Sequence, residues 1–401
     1  MNSFDGELNR RLDALRAQGL RRELRRVDSA QSPRIEIGGK PLLNFSSNDY
    51  LGLANHPALK EAAIRAIEKF GAGAGASRLI SGSLAPHHDL EETLARFKDA
   101  EAALTFSTGY ATALGTICAL LGKDDVIILD KLVHASIVDA ARLSGAKLRV
   151  FAHNDLDDLE QKLKWANARQ LEKTGPNEIQ PRILIVTESV FSMDGDLSPL
   201  REIIALKEKY DAWLMVDEAH ATGLYGTHRR GLAEQLGVSN RIEIQMGTLG
   251  KALGASGGYI AGSRALVDYL INRARSFIFS TAPVPAAAAA ANAAIQLVES
   301  GEGENRRNTL WERAKFFQSL RRSPDIFQSA IVPIILGEES RATAAADFLR
   351  AENIFVPAIR YPTVARGAAR LRVALTTSHS AEEISRLAQS LEKIENLDSK
   401  V

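Results

Sequence analysis

Thr248-Leu249-Gly250-Lys251-Ala252-Leu253-Gly254 comes just after the apolar segment Ile242-Glu243-Ile244-Gln245-Met246. A lysine between glycines, with the Thr248 hydroxyl three residues before it, sits where the backbone can crowd a ligand. Partial desolvation lowers the pKa of such a lysine and frees its amine as a nucleophile. Two chemistries use a Gly-Lys step of this kind: a phosphate-binding P-loop and a Schiff-base lysine. The P-loop pattern needs a further glycine upstream of Gly250 and a Ser or Thr after the lysine. Gln245 and Ala252 stand in those places. The P-loop fails, and a Schiff-base lysine must find its support elsewhere in the chain.

Working outward, strand and helix patterns alternate from about residue 100 to 265. Strands are expected at Asp125–Asp130, Lys147–Phe151, Arg182–Glu188, Ala212–Asp217, Ile242–Met246 and Gly258–Ala261. Several are continuous apolar runs, as in strands buried on both faces of a mostly parallel sheet. Helical periodicity fills the intervals near 133–144, 155–166 and 199–210. The fold class is therefore α/β, with its ligand at the carboxyl ends of the strands. An amphipathic arm and a hairpin, Arg34 to Leu43, precede this region; a smaller α+β domain follows it, with helices at 305–322, 340–352 and 381–396. The expected divisions are 1–45 for the arm and hairpin, 46–290 for the large domain and 291–401 for the small one.

Bulk properties narrow the function. The 401 residues are 45% apolar and 25% charged, with a net charge of +1. That balance provides no broad basic field for nucleic acid or an anionic membrane. Cys118 is the only cysteine, which rules out an intramolecular disulfide and thiolate zinc clusters, and no metal site is expected. The first residues are charged and have no apolar core of a secretory signal, so the expected setting is cytoplasmic. Gly71-Ala72-Gly73-Ala74-Gly75 follows a helix rather than a strand and lacks the dinucleotide-fingerprint spacing. Asp217-Glu218-Ala219-His220 spells a helicase ATPase signature, but no P-loop lies upstream of it.

Residues just past the apolar runs open onto one crevice with Lys251: Asp217 and His220, Glu188 and Ser192, His134, and Ser107-Thr108-Gly109-Tyr110 at a helix start. Pyridoxal phosphate chemistry accounts for these residues together. Its ring nitrogen needs a buried aspartate, for which Asp217 is placed, and Lys251 would carry the cofactor. The phosphate needs backbone N–H groups at a helix N-terminus plus hydroxyls, which Ser107-Thr108-Gly109-Tyr110 and Thr248 could supply. The ring needs a stacking partner and a donor to its phenolic oxygen, with His134 and His220 as candidates. Each member also has an ordinary reading, as a helix cap, a satisfied histidine or a solvated turn lysine. The signal is their combination and order.

Asn48-Asp49-Tyr50-Leu51-Gly52-Leu53, His134-Ala135-Ser136, Val190-Phe191-Ser192-Met193-Asp194-Gly195, Asp217-Glu218-Ala219-His220-Ala221-Thr222-Gly223 and Gly247-Thr248-Leu249-Gly250-Lys251 resemble the α-oxoamine synthases. This is a family within fold type I of the pyridoxal phosphate enzymes, and the resemblance runs from Asn44 to about Thr376. It implies decarboxylative condensation of an amino acid with an acyl thioester by a homodimer with shared sites. By the same resemblance Lys251, Asp217, His134 and His220 are catalytic. Gly109, Tyr110, Ser192, Thr248 and Thr281 join them in binding the cofactor, Thr281 by reaching the partner's phosphate. Arg372 would grip the substrate carboxylate, with Asn48, Thr363 and one of Arg21 and Arg22 also on substrate. Ala358–Val364, Phe277–Thr281 and Ala221-Thr222-Gly223 look like the member that joins L-alanine to a pimeloyl thioester, on coenzyme A or a carrier protein. The flanks of Lys251 and Gly257-Gly258-Tyr259 look closer to the member that uses glycine and acetyl-CoA. Glu218 and Tyr361 depart from the family pattern, where an aspartate and a proline are usual. A non-catalytic scaffold of this fold is the contrasting class, and it would have no need to keep Lys251, Asp217 and His134.

Overall fold

The computed structural model describes residues 3–171, 180–321 and 327–398, so residue 322 of the expected helix at 305–322 lies outside the described residues. Among the described residues, thirteen strands run in chain order: β1 (Arg34–Ile37), β2 (Lys40–Asn44), β3 (Ala102–Phe106), β4 (Val126–Asp130), β5 (Lys147–Phe151), β6 (Ile183–Glu188), β7 (Trp213–Asp217), β8 (Ile244–Thr248), β9 (Gly258–Gly262), β10 (Ile331–Gly337), β11 (Ile354–Phe355), β12 (Ala358–Ile359) and β13 (Ala369–Ala374). The chain divides into two compact units, one of residues 51–192 and 196–308, the other of residues 1–50, 193–195 and 309–401.

The larger unit is built on a seven-stranded sheet ordered β3-β9-β8-β7-β6-β4-β5. Among the described residues only β9 runs against its neighbours, so the sheet is mostly parallel, as expected. β4 and β6 are buried at every position, which is why both are apolar, Val126–Leu129 and Ile183–Val186, up to their polar ends. β5 carries Lys147 and Arg149 and is half-exposed, as an edge strand should be.

Two expectations shift here. Ile242 closes a turn onto the Ser239 carbonyl (3.3 Å), so β8 starts at Ile244 and extends through Thr248. Its end is therefore Thr248, not Met246. β3 was absent from the expected strands because Ala102-Ala103-Leu104 has little β-branched character. Antiparallel pairing with β9 holds it in the sheet.

The smaller unit contains two three-stranded sheets, β1-β2-β11 and β10-β13-β12. β13 is the buried centre of the second, and Pro333 sits on its edge strand β10, where no ladder donor is required. The hairpin at residues 34–44 thus groups with the C-terminal part of the chain. The expected boundary at 290 falls inside the helix Pro285–Glu299. That helix buries Ala288, Ala291, Ala294, Ile295 and Val298 and packs against the helices Pro57–Phe70 and Ala85–Lys98, which keeps it with the larger unit.

One buried ion pair braces the loop after β7. Lys98 Nζ donates to Glu218 Oε2 (2.5 Å) and to the Arg230 carbonyl (2.6 Å), and both charged side chains are 1% exposed. Glu218 Oε1 accepts from the Ala233 N–H at 2.9 Å. The carboxylate lies 2.4 Å from where a Cβ on Gly231 would stand, so a residue with no side chain, at φ 146°, makes room for it. Removing one partner strands the other charge without water. Lys98→Ala is expected to cost about 3–5 kcal/mol, read as a lowered thermal midpoint. The double variant Lys98→Met/Glu218→Gln keeps an acceptor for Ala233 and should recover most of the loss.

Candidate active site

β6, β7 and β8 are neighbours, and their carboxyl ends deliver the central residues of the larger unit. Parallel register sets Glu188 on β6 directly beside Asp217 on β7, and Asp217 beside Met246 on β8. Glu188 is 2% exposed and Asp217 6%. Two carboxyl groups are therefore side by side and largely without water. Burial raises the Asp217 pKa, while the Lys251 ammonium, the Ala219 N–H and His134 pull it back. Glu188 is pushed up to about 8, chiefly by burial and then by the Asp217 charge, against Lys251 and the N–H groups of His134 and Ser192. Glu188 Oε2 accepts from the Ser192 N–H at 3.2 Å, and Oε1 is buried without a hydrogen-bond partner.

Lys251 lies three residues beyond the end of β8, on a turn closed by the Leu249 N–H to Gly257 O (3.0 Å) and Ala255 N–H to Leu249 O (2.8 Å). Its Nζ donates to Nε2 of the buried His220 at 2.9 Å. This brings together the lysine and one of the two expected histidines. His134 caps the helix Ala135–Ser144, its Nδ1 accepting from the Ser136 N–H (3.2 Å) and hydroxyl (2.8 Å). The cap reading and the site reading thus hold for the same residue: Nδ1 is occupied while the side chain remains exposed. Burial of the ring against the surrounding protein moves the His134 pKa below its ordinary value, with Lys251 adding to the effect and Asp217 opposing it, which favours the neutral form.

Thr108 caps the helix Gly109–Leu120 by accepting from the Ala111 N–H (3.0 Å). The first turn of this helix abuts the end of β8, because a Cβ on Gly109 would stand 2.6 Å from Thr248 Cγ2. Thr248 Oγ1 is itself buried with no hydrogen-bond partner. Helix N–H groups and a free hydroxyl thus converge, which is the arrangement that holds a phosphate. Tyr110 donates instead to Asp139 Oδ2 (2.8 Å) and leaves its ring half-exposed. Thr281 is exposed and pairs with Ser77 in an isolated bridge, which ties the end of the Gly-rich stretch to the segment before the helix Pro285–Glu299.

The remaining expected residues belong to the smaller unit and fall into two groups. Arg372 Nη2 donates to the Tyr50 hydroxyl (3.3 Å), which donates to Asn48 Oδ1 (3.2 Å). Arg22 Nη2 donates to Thr363 Oγ1 (3.3 Å), whereas Arg21 pairs with Glu23 at 3.4 Å. Of the two arginines, Arg22 is the one joined to another candidate. Sequence reasoning passed over His153, which lies between Asp130 and Asp196, and set Glu188 in the crevice without giving it a role. The signal for Glu188 was present, an acid closing an apolar run; nothing local marked His153.

Residues 40–391 match the model of the aminotransferase class I and II family. The chain belongs to this family. It is similar to the 8-amino-7-oxononanoate synthase of Geobacter sulfurreducens, at 46% identity over 98% of this chain and 97% of that protein. It is similar also to the synthase of the same name from Thermoanaerobacter pseudethanolicus, at 43% over 96% of each. Among solved structures, a serine palmitoyltransferase from S. paucimobilis with bound PLP–myriocin aligns at a TM-score of 0.89, 28% identity and 98% of both chains. An 8-amino-7-oxononanoate synthase from Francisella tularensis aligns at 0.73, with 29% identity over 90% of this chain and 98% of that one. These relatives place the chain among the α-oxoamine synthases, with the fold type I architecture of pyridoxal phosphate enzymes.

The paired carboxyls have a measurable consequence. Between pH 4.5 and about 8 the folded chain keeps the Glu188 proton that the unfolded chain has released. Stability of the chain alone should therefore decline as pH rises across that window. Glu188→Gln should flatten the decline in thermal midpoints taken from pH 5 to pH 9; an unchanged slope would show that Glu188 is not its source.

Proposed function

We propose that this chain is a pyridoxal phosphate-dependent acyltransferase that condenses L-alanine with a pimeloyl thioester to give 8-amino-7-oxononanoate, in biotin biosynthesis. Carbon dioxide and the free thiol are the other products, and the thioester is carried by coenzyme A or a carrier protein. The reading rests on the Lys251–His220 contact of 2.9 Å at the strand ends that carry buried Asp217, in a chain 46% identical to synthases of that name.

The residues fit pyridoxal phosphate. Lys251 would hold it, Asp217 would face its ring nitrogen, and the helix start at Gly109 with the unpartnered Thr248 Oγ1 would hold its phosphate. His134 offers an accessible neutral ring for stacking, and Ser192 a further polar contact. When bound, the cofactor supplies an electron sink for the carbanion at the amino acid's Cα.

The chain's own groups do the rest. Lys251, once its amine is free, takes the proton from the substrate Cα and returns one after carbon dioxide leaves. His220, hydrogen-bonded to Nζ, holds that amine in place. Asp217 keeps a negative charge where a cationic ring must be stabilised, and its burial strengthens that interaction. Arg372, 7% exposed and extended by Tyr50 to Asn48, offers a guanidinium for the substrate carboxylate. Arg22 and Thr363 are read as contacts to the acyl substrate. The working form is a homodimer in the cytoplasm, with Thr281 reaching the partner's phosphate. In support, Ile80 and Phe279 are 80% and 70% exposed close to the Ser77–Thr281 bridge, apolar surface that a second copy would cover.

Lys251→Ala is expected to abolish turnover and the borohydride-trappable cofactor link, while the fold persists. Thiol release should be followed for alanine or glycine against pimeloyl-CoA or acetyl-CoA. Activity with alanine and pimeloyl-CoA is expected. Activity confined to glycine with acetyl-CoA would overturn the substrate reading, and absence of any cofactor absorbance would favour a non-catalytic scaffold.

A further inference from the structure

Segment 189–198, which carries Ser192, folds back on itself. Val190 and Leu197 form an isolated antiparallel bridge, the Phe191 N–H donates to Asp196 O (3.0 Å), and the Ser198 N–H donates to Ser189 O (3.1 Å). From inside the site, Glu188 holds it through the Ser192 N–H at 3.2 Å. From the other side His153 holds it. The His153 Nδ1 lies 3.0 Å from Asp130 Oδ1 and its Nε2 lies 2.7 Å from Asp196 Oδ2.

A neutral imidazole has one N–H, so a ring with a carboxylate at each nitrogen is satisfied only as the cation. Burial alone would lower the His153 pKa, but the hydrogen bonds to Asp130 and Asp196 outweigh it and push the value up to about 10. Asn154 reinforces the arrangement, its N–H donating to Asp130 Oδ2 (2.9 Å) and its side-chain amide to Asp196 Oδ2 (3.0 Å) and Leu197 O (3.2 Å). It does so from a left-handed backbone, φ 56°, a conformation asparagine tolerates better than most residues. The Phe191 ring meets His153 edge-on at 4.3 Å between centroids. Asp130 is fully buried at the end of β4, so the whole device is fastened to the sheet.

We propose that His153 is a positioning residue for the reaction at Lys251, acting as an imidazolium clamp between Asp130 and Asp196 that fixes the segment bearing Ser192. The inference rests on the proposed function for its catalytic consequence, but not for the clamp itself. A fixed serine matters because a displacement of about 1 Å in a positioned group can cost about 100-fold in rate.

The test uses the cofactor-loaded protein and the variants His153→Ala and Asp196→Asn, the second at a more exposed site where folding is less at risk. Amide exchange of segment 189–198, read by mass spectrometry, should accelerate in both variants while the core strands stay protected. The kcat should fall about 10- to 100-fold, with the KM for the amino acid and the cofactor absorbance little changed. The double variant should be no worse than either single one, because both break the same clamp. Unchanged exchange at 189–198 would refute the clamp. Faster exchange with kcat within twofold of the unmodified protein would refute the positioning role. Absence of turnover in the unmodified protein would instead count against the proposed function, and the exchange result would still decide the clamp.

Discussion

Parallel register at the centre of the sheet puts Glu188 and Asp217 side by side where water does not reach. Two carboxyls so placed cannot both ionise cheaply, and one of them must hold a proton or find a cation. Several neighbouring features answer that constraint. Lys251 approaches from the turn after the next strand, and His134 and Ser192 each direct a backbone N–H to Glu188. The same deficit of positive charge makes the crevice a place where a cation is stabilised. Strand pairing thus sets the electrostatics of the crevice.

The division of roles follows from what each carboxyl touches. Asp217 receives the Ala219 N–H (2.9 Å), and its backbone carbonyl receives Ser189 N–H (2.9 Å), so it ties the loop after its own strand to the loop after β6. Glu188 then binds the next part of that same loop at Ser192. The segment bearing the serine is held by groups on β4, β6 and β7, three adjacent or near-adjacent strands of the sheet. Its tip, Met193 to Gly195, groups with the smaller unit, where Arg370 donates to the Met193 carbonyl (3.1 Å) and to Asp194 (2.6 Å).

Much of this was legible in the sequence where chemistry follows from position along a strand. An unbroken apolar run that ends in an acid, as at Val216-Asp217, announces both a buried strand and a functional end, and parallel neighbours aim such ends into one crevice. Lys251 and His220 could be paired in expectation for that reason. The registers could not be read, because a shift of two residues in β8 depends on a turn at residues 239–241 that no periodicity reveals. β3 escaped because pairing, rather than propensity, holds it. His153 was invisible because its two carboxylates come from distant parts of the chain. That the alanine-rich helix around residue 290 packs on helices far earlier in the chain is a tertiary fact that its own sequence does not carry.

The Lys98–Glu218 pair gives the glutamate after Asp217 a structural role of its own. The extra methylene lets the carboxylate reach both Lys98 and the Ala233 N–H, in the space that Gly231 leaves. An aspartate at 218 would fall short and leave the ammonium at 98 without water or counter-charge. Positions 98 and 218 therefore act as one unit although 120 residues separate them, so that neither side chain can be changed alone without burying the other's charge unpaired.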